Sequence, residues 1–315
     1  MPRHAAPQDN PAGLRRTKNV WVLAGVVALL VVIAGVAGGV VLRRHQVSHP
    51  PASARAPTQV AKPTSGPVPA STPPDPAVDP LRAAFADLEK SIDARLGVVV
   101  VGVGAGKTTV TLGDWDSGPA WSTIKVPLAI AALRHDNSSE PTDAMIAAIT
   151  QSDNDAAEKV WESLGDPVTA AGMVQDVLRQ YGDPTTVQSQ RVRPPFSAFG
   201  QTDWSLTHQA TFLANAVCDG TNEPILTLMG QVEPAQQWGL GILSDTRIKG
   251  GWGPYPEGNY LVRQMGVISG ATGKIVVAMA AQPASGSFAD GTYDLNKTAK
   301  WLNEHIDALP SGNCG

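Results

Sequence analysis

Three short stretches carry side chains whose types and spacing suit one chemistry. In Ser122-Thr123-Ile124-Lys125 a hydroxyl stands three residues ahead of an amine. If a helix begins at Ser122, the two share a face, giving a nucleophile with a base beside it. The N–H groups of a first helical turn add positive potential, which favours an anion developing there. The chain then runs through the apolar Val126–Leu133, so burial would weaken the preference of Lys125 for charge and let it accept a proton. Pro127 falls early enough to cost that helix one backbone hydrogen bond at most. The plainer reading of the same residues is a helix cap followed by a snorkelling lysine.

The second stretch, Ser152-Asp153-Asn154, falls between two expected helices, Thr142–Thr150 and Ala156–Leu164. A capping loop must sit there, and its plain reading is Ser152 starting the turn and Asn154 or Asp155 capping the next helix. The third, Lys249-Gly250-Gly251-Trp252, ends a short strand from Arg247 and precedes the turn Gly253–Gly258; alone, Lys249 reads as a solvated charge. A fourth stretch is a decoy. Gly102–Thr109 looks like a phosphate-binding loop, but Val101 stands where that pattern needs its first glycine. The β-branched Thr108–Leu112 that follows reads as a returning strand, with Ala105-Gly106 as the hairpin turn.

The elements that must position these residues follow from periodicity. Leu81, Ala84, Phe85, Leu88 and Ile92 share a face, which predicts a helix over Leu81–Arg95. Leu96–Val103 is apolar enough for a strand buried on both faces. Ala210–Val217 reads as an apolar helix capped from Ser205–Thr207, Tyr260–Ile268 and Lys274–Ala281 as two strands, and Tyr293–Leu309 as a closing amphipathic helix. Successive strands joined by turns imply antiparallel pairing. The expected fold is one α/β domain, an antiparallel sheet assembled from both ends of the chain with helices around it.

Composition divides the chain. Residues 1–19 are polar and basic, residues 20–42 carry no charge, and residues 43–80 are rich in proline. A helix over residues 20–42 would be about 34 Å long, enough to cross a bilayer and longer than a signal-peptide core. Residues 43–80 read as a semi-rigid spacer. The folded part is then 81–315, with 16 Lys and Arg against 25 Asp and Glu, which argues against a nucleic-acid partner. No Cys/His cluster has metal-ligand spacing, and no cofactor is implied. Cys218 and Cys314 could pair outside the cytoplasm, and their spacing leaves that open.

Taken together and in order, Ser122-x-x-Lys125, Ser152-Asp153-Asn154 and Lys249-Gly250-Gly251 resemble the motif set of class A β-lactamases and penicillin-binding proteins. Ala94-Arg95-Leu96-Gly97-Val98 is similar to the opening strand of that family's sheet, and Ala156-Ala157 after the second motif is similar too. The resemblance spans roughly Leu81–Leu309 and implies the β-lactamase/transpeptidase-like fold with its helical subdomain. It also implies roles. Ser122 would be the acylated nucleophile, Lys125 its base, Ser152 a proton relay and Asn154 a contact to the substrate amide. Lys249 would lend charge to a substrate carboxylate, and the N–H groups of Ser122 and Trp252 would form the oxyanion hole. Gly250-Gly251-Trp252 would flank the substrate, a β-lactam or a cell-wall peptide. That chemistry is extracytoplasmic, so residues 1–19 are expected in the cytoplasm and the domain outside, on a single-pass anchor in the cell membrane.

Two departures matter. Gly250 stands where the family has a threonine whose hydroxyl binds the substrate carboxylate. The family's loop glutamate, which activates the deacylating water, has no counterpart between Pro184 and Thr202; Gln188 and Gln190 could position a water but not take its proton. The expectation is a serine acyl-enzyme that deacylates slowly. The alternative is a non-catalytic module on the same fold that binds peptidoglycan or a partner.

Overall fold

A computed structural model describes residues 78–315 apart from 105–107. The expected tail, the expected membrane-spanning helix over 20–42, nearly all of the expected spacer and the expected hairpin turn at Ala105-Gly106 therefore lie outside the described residues. Among the described residues, no helix is long and apolar enough to cross a membrane.

In chain order the elements are α1 (Val78–Glu89), β1 (Ala94–Gly102), β2 (Thr109–Gly113), β3 (Ser117–Pro119), α2 (Lys125–His135), α3 (Asp143–Thr150), α4 (Asn154–Ser163) and α5 (Pro167–Gln180). Then come β4 (Asp203–Ser205), α6 (Leu206–Ala216), α7 (Glu223–Leu228), β5 (Arg247–Pro254), β6 (Tyr260–Ser269), β7 (Lys274–Pro283) and α8 (Phe288–Glu304). Five strands form one antiparallel sheet in the order β2-β1-β7-β6-β5. β1 and β7 are neighbours, so the sheet does close from both ends of the chain.

The apolar run of β1 serves two cores at once, because successive strand side chains leave on opposite faces. Val99 and Val101 join the core under the helices α2–α7, while Leu96, Val98 and Val100 join the core under α1 and α8. β7 alternates likewise, with Val276, Ala278 and Ala280 on the first face and Val277, Met279 and Ala281 on the second. α2 is buried from Lys125 through Leu133, as an all-round apolar helix must be. It lies against α4 and α5.

Several boundaries differ from expectation. α1 begins at Val78, inside the expected spacer, and ends at Glu89 instead of Arg95, because Ala94 and Arg95 already pair with β7. The closing helix runs Phe288–Glu304, capped by Ser287, whose Oγ accepts from the N–H of Asp290; Ile306–Ala308 then forms a separate 3-10 turn. α5 lies outside the elements expected above, although its signal is present. Asp166 caps it, Pro167 opens it, and Ala170, Ala171, Val174, Val177 and Leu178 make a buried stripe. Cys218 and Cys314 form a disulfide across 96 residues, tying the C-terminal tail to the end of α6.

Candidate active site

The first motif does not open on the α-helix. Trp121–Ile124 is a 3-10 turn, and α2 begins only at Lys125. Trp121 has φ +49°, a left-handed conformation that costs a bulky residue about 1–3 kcal/mol and persists only where the surroundings enforce it. Here its indole packs edge-on to Phe196 at 5.1 Å and lies against Gly253, where even a Cβ would come within 2.6 Å of the ring. The turn is also tied from below. Thr123 Oγ1 donates to Ala120 O at 2.6 Å and accepts from Gln209 Nε2 at 2.8 Å. Arg263, fully buried, donates to Gly118 O, Pro119 O, Trp204 O and Gln209 Oε1 at 2.9–3.2 Å. Burial lowers its pKa to about 10, opposed by Tyr255 and Asp203. These residues hold the backbone that presents Ser122, and no local motif marks them.

Ser152, in the second motif, also has positive φ, at +57°. It lies in the middle of the loop between α3 and α4. Asp153, not Asn154 or Asp155, caps α4, its Oδ1 accepting from Ala156 N at 2.7 Å. That leaves Asn154 at the start of the helix with its side chain turned to Lys125.

Two buried lysines meet at Ser152. Lys125 Nζ donates to Ser152 O at 2.7 Å, Asp153 O at 3.1 Å and Asn154 Oδ1 at 2.8 Å. Lys249 Nζ donates to Ser152 Oγ at 2.9 Å and to Gly250 O at 3.0 Å. Burial pushes the Lys125 amine down to about 7, against the pull of Asp153 and Glu158. Burial holds Lys249 well below its usual value, the Lys125 charge adding to the effect and Glu233 opposing it. Among the described residues Ser122 Oγ has no hydrogen-bond partner, so Lys125 must release one of its three acceptors to reach it.

β5 supplies the third motif, and its alternation explains each residue. Lys249, Gly251 and Gly253 face the serine turn. A Cβ on Gly251 would lie 2.9 Å from Ala120 O and from Ser122 N, so only glycine lets the strand run this close. Gly250 faces the other way, where a Cβ would meet the Trp238 ring at 2.7 Å. Trp238 is buried and packs edge-on to Trp252 at 6.0 Å. An indole thus fills the space that a side chain at 250 would need.

Ser122, Lys125, Ser152, Asn154 and Trp252 line one cavity of about 480 Å³. Lys249, Gly250 and Gly251 do not line it, and Lys249 reaches it only through the Ser152 hydroxyl. The opposite wall comes from the loop 191–200, with Arg191, Pro195, Phe196, Ser197, Phe199 and Gly200. Gln188 and Gln190 are not on that wall; Gln188 Oε1 accepts from Gln190 N at 2.9 Å, which turns the loop back on itself. The cavity does hold two carboxylates, Asp155 and Glu158, both from α4. Among the described residues no cluster suits a metal ion.

No family model matches the chain, and no curated protein matches its sequence. Solved structures do match. The TLA-3 extended-spectrum β-lactamase aligns with TM-score 0.57 and 14% identity over 71% of this chain and 99% of its own. An ancestral class A β-lactamase gives TM-score 0.54 and 20% identity over 71% and 99%. The β-lactamase of Streptosporangium roseum gives TM-score 0.54 and 16% identity over 72% and 98%. The chain has the β-lactamase/transpeptidase-like fold. On that fold the three motif stretches, spread over 130 residues of sequence, converge on one cavity through α2, the α3–α4 loop and β5.

Proposed function

We infer that the protein is a membrane-anchored serine acyl-enzyme acting on β-lactams or cell-wall peptides through Ser122, with slow deacylation. The observation that carries this reading is the group of Ser122, Lys125, Ser152 and Asn154 on one cavity, with the buried Lys125 amine pushed down to about 7. An amine of that pKa is half neutral near pH 7 and suits a general base. In the acylation step Lys125 takes the Ser122 proton as Oγ attacks the substrate carbonyl carbon. The developing oxyanion is received by the N–H groups of Ser122 and Trp252. Ser152, linked to both lysines, passes a proton to the leaving nitrogen, and Asn154 holds the substrate amide. Lys249 acts through Ser152, since it is fully buried.

Slow deacylation is supported by the loop wall, which offers aromatic rings and no carboxylate. Losing a general base typically costs about 10²–10⁴-fold. Residues 20–42 would anchor the chain in the cell membrane, with residues 1–19 in the cytoplasm and the domain outside. The acidic balance of residues 81–315 keeps nucleic acid out of the reading.

A second reading, a module that binds peptidoglycan or a partner without chemistry, is favoured by one observation. All three Lys125 donors go to groups other than Ser122 Oγ. Intact mass of the full chain after incubation with benzylpenicillin, beside Ser122→Ala, separates the two. The acyl-enzyme reading expects an adduct of one penicillin that the variant lacks. An unmodified chain with several β-lactams and with a cell-wall peptide would leave the binding module.

A further inference from the structure

The cavity contains a carboxylate in a place where the sequence pattern does not look for one. Glu158 follows Asn154 by four residues on α4, so the two share a helix face about 5–6 Å apart at Cβ. Asn154 Oδ1 accepts from Lys125 at 2.8 Å, and among the described residues its amide N–H₂ has no partner. Glu158 lines the same cavity as Ser122, its side chain 22% exposed, and its charge is one of the two that act on Lys125. Asp155 also lines the cavity, but it sits one residue after Asn154, about 100° further round the helix. Its charge is not among those acting on Lys125. From the opposite wall Arg191 Nη2 meets Glu158 Oε2 at 2.9 Å, joining α4 to the loop across the mouth of the cavity.

We propose that Glu158 is the general base of deacylation, taking from α4 the place left empty on the loop. The proposal rests on the acyl-enzyme reading above. A water held between the Asn154 amide and the Glu158 carboxylate attacks the acyl carbon of the Ser122 ester. As the new carbon–oxygen bond forms, one water proton passes to Glu158. The tetrahedral intermediate then collapses, the bond to Ser122 Oγ breaks, and Oγ leaves with the proton that Glu158 took. The products are the free acid and the Ser122 hydroxyl, with Glu158 restored. Arg191 fixes the carboxylate at the cavity wall and competes with the water for it, which keeps the step slow.

The test is a time course of intact mass on the full chain with benzylpenicillin, for wild type, Glu158→Gln and Glu158→Ala. Wild type is expected to form the adduct and clear it. Glu158→Gln should still form the adduct and hold it at least about 10²-fold longer than wild type. Added formate should restore clearance in Glu158→Ala, because a small carboxylate can fill the space and take the proton. Equal clearance in wild type and Glu158→Gln overturns the proposal and leaves the acyl-enzyme reading intact. So does a wild-type adduct that never clears. Failure of formate to restore clearance means the side chain only shapes the cavity, and also overturns it. If no protein forms an adduct, the acyl-enzyme reading itself fails, and this inference falls with it.

Discussion

On one wall of the cavity, Ser122, Lys125 and Ser152 stand on elements locked into the core, each with its backbone held by buried partners. Facing them, residues 191–200 present rings, a glycine and an exposed arginine. The first wall includes two left-handed backbones, at Trp121 beside the serine and at Ser152. The second brings no carboxylate to the cavity; Asp155 and Glu158 come from α4 instead. The difference teaches that the two halves of a hydrolytic cycle need different things from a fold. Attack on a carbonyl needs a nucleophile and a base brought together by packing, and packing constrains those residues strongly. Hydrolysis of the ester needs only a water and a proton acceptor, which several positions around a cavity can supply.

The largest effect that would break the contrast is on the first wall. Lys125→Ala should slow acylation about 10²–10⁴-fold, read as the rate of adduct formation. A loss below tenfold would make Lys125 a clamp on the α3–α4 loop and leave the serine without its base.

The pH dependence sharpens the same point. Only the neutral amine can take the Ser122 proton, and with its pKa near 7 the neutral fraction falls tenfold for each pH unit below that. Acylation should therefore drop about 50-fold from pH 7 to pH 5 and level off above pH 8. Stability follows the same group with its own sign. The folded chain releases this proton near 7 while the unfolded chain holds it to about 10.4, so its contribution to stability rises with pH between those values and is flat below 7. An acylation rate independent of pH between about 5 and 7 would point to another base.

A smaller effect concerns the back of β5. Gly250→Thr should destabilise the domain by about 1–3 kcal/mol, because the new side chain meets the Trp238 ring. Combining it with Trp238→Ala should recover part of that loss, giving a coupling that a double-mutant cycle of denaturant midpoints measures. Additive losses would mean that the ring and position 250 do not compete.

Much of this was legible in the chain. The sheet could be read because its strands are apolar runs between glycine and proline turns, and its closure from both ends because those runs occur only near the two ends of the folded part. Ser122, Lys125, Ser152 and Asn154 could be read because a motif keeps its members within three residues. What escaped lies in contacts between distant residues. Arg263, Gln209 and Thr123 hold the serine turn together over more than 100 residues of sequence, and none carries a local pattern. Glu158 looks like a solvent-facing residue of an amphipathic helix until α4 is placed against the cavity. Trp238 explains Gly250 only once β5 shows which face each residue takes. Even the start of α2 differs from the expected Ser122, because the left-handed Trp121 is held by Phe196 and Gly253 from elsewhere.

The central claim is that Ser122 is the nucleophile, and the measurement that meets it most directly is the position of the covalent bond. The full chain is incubated with benzylpenicillin, quenched in acid, digested and read by tandem mass spectrometry. The account predicts one penicilloyl group on the peptide carrying Ser122, with the fragment series placing it on Ser122 itself. A label on Ser152, on Lys125 or scattered over surface lysines would contradict it.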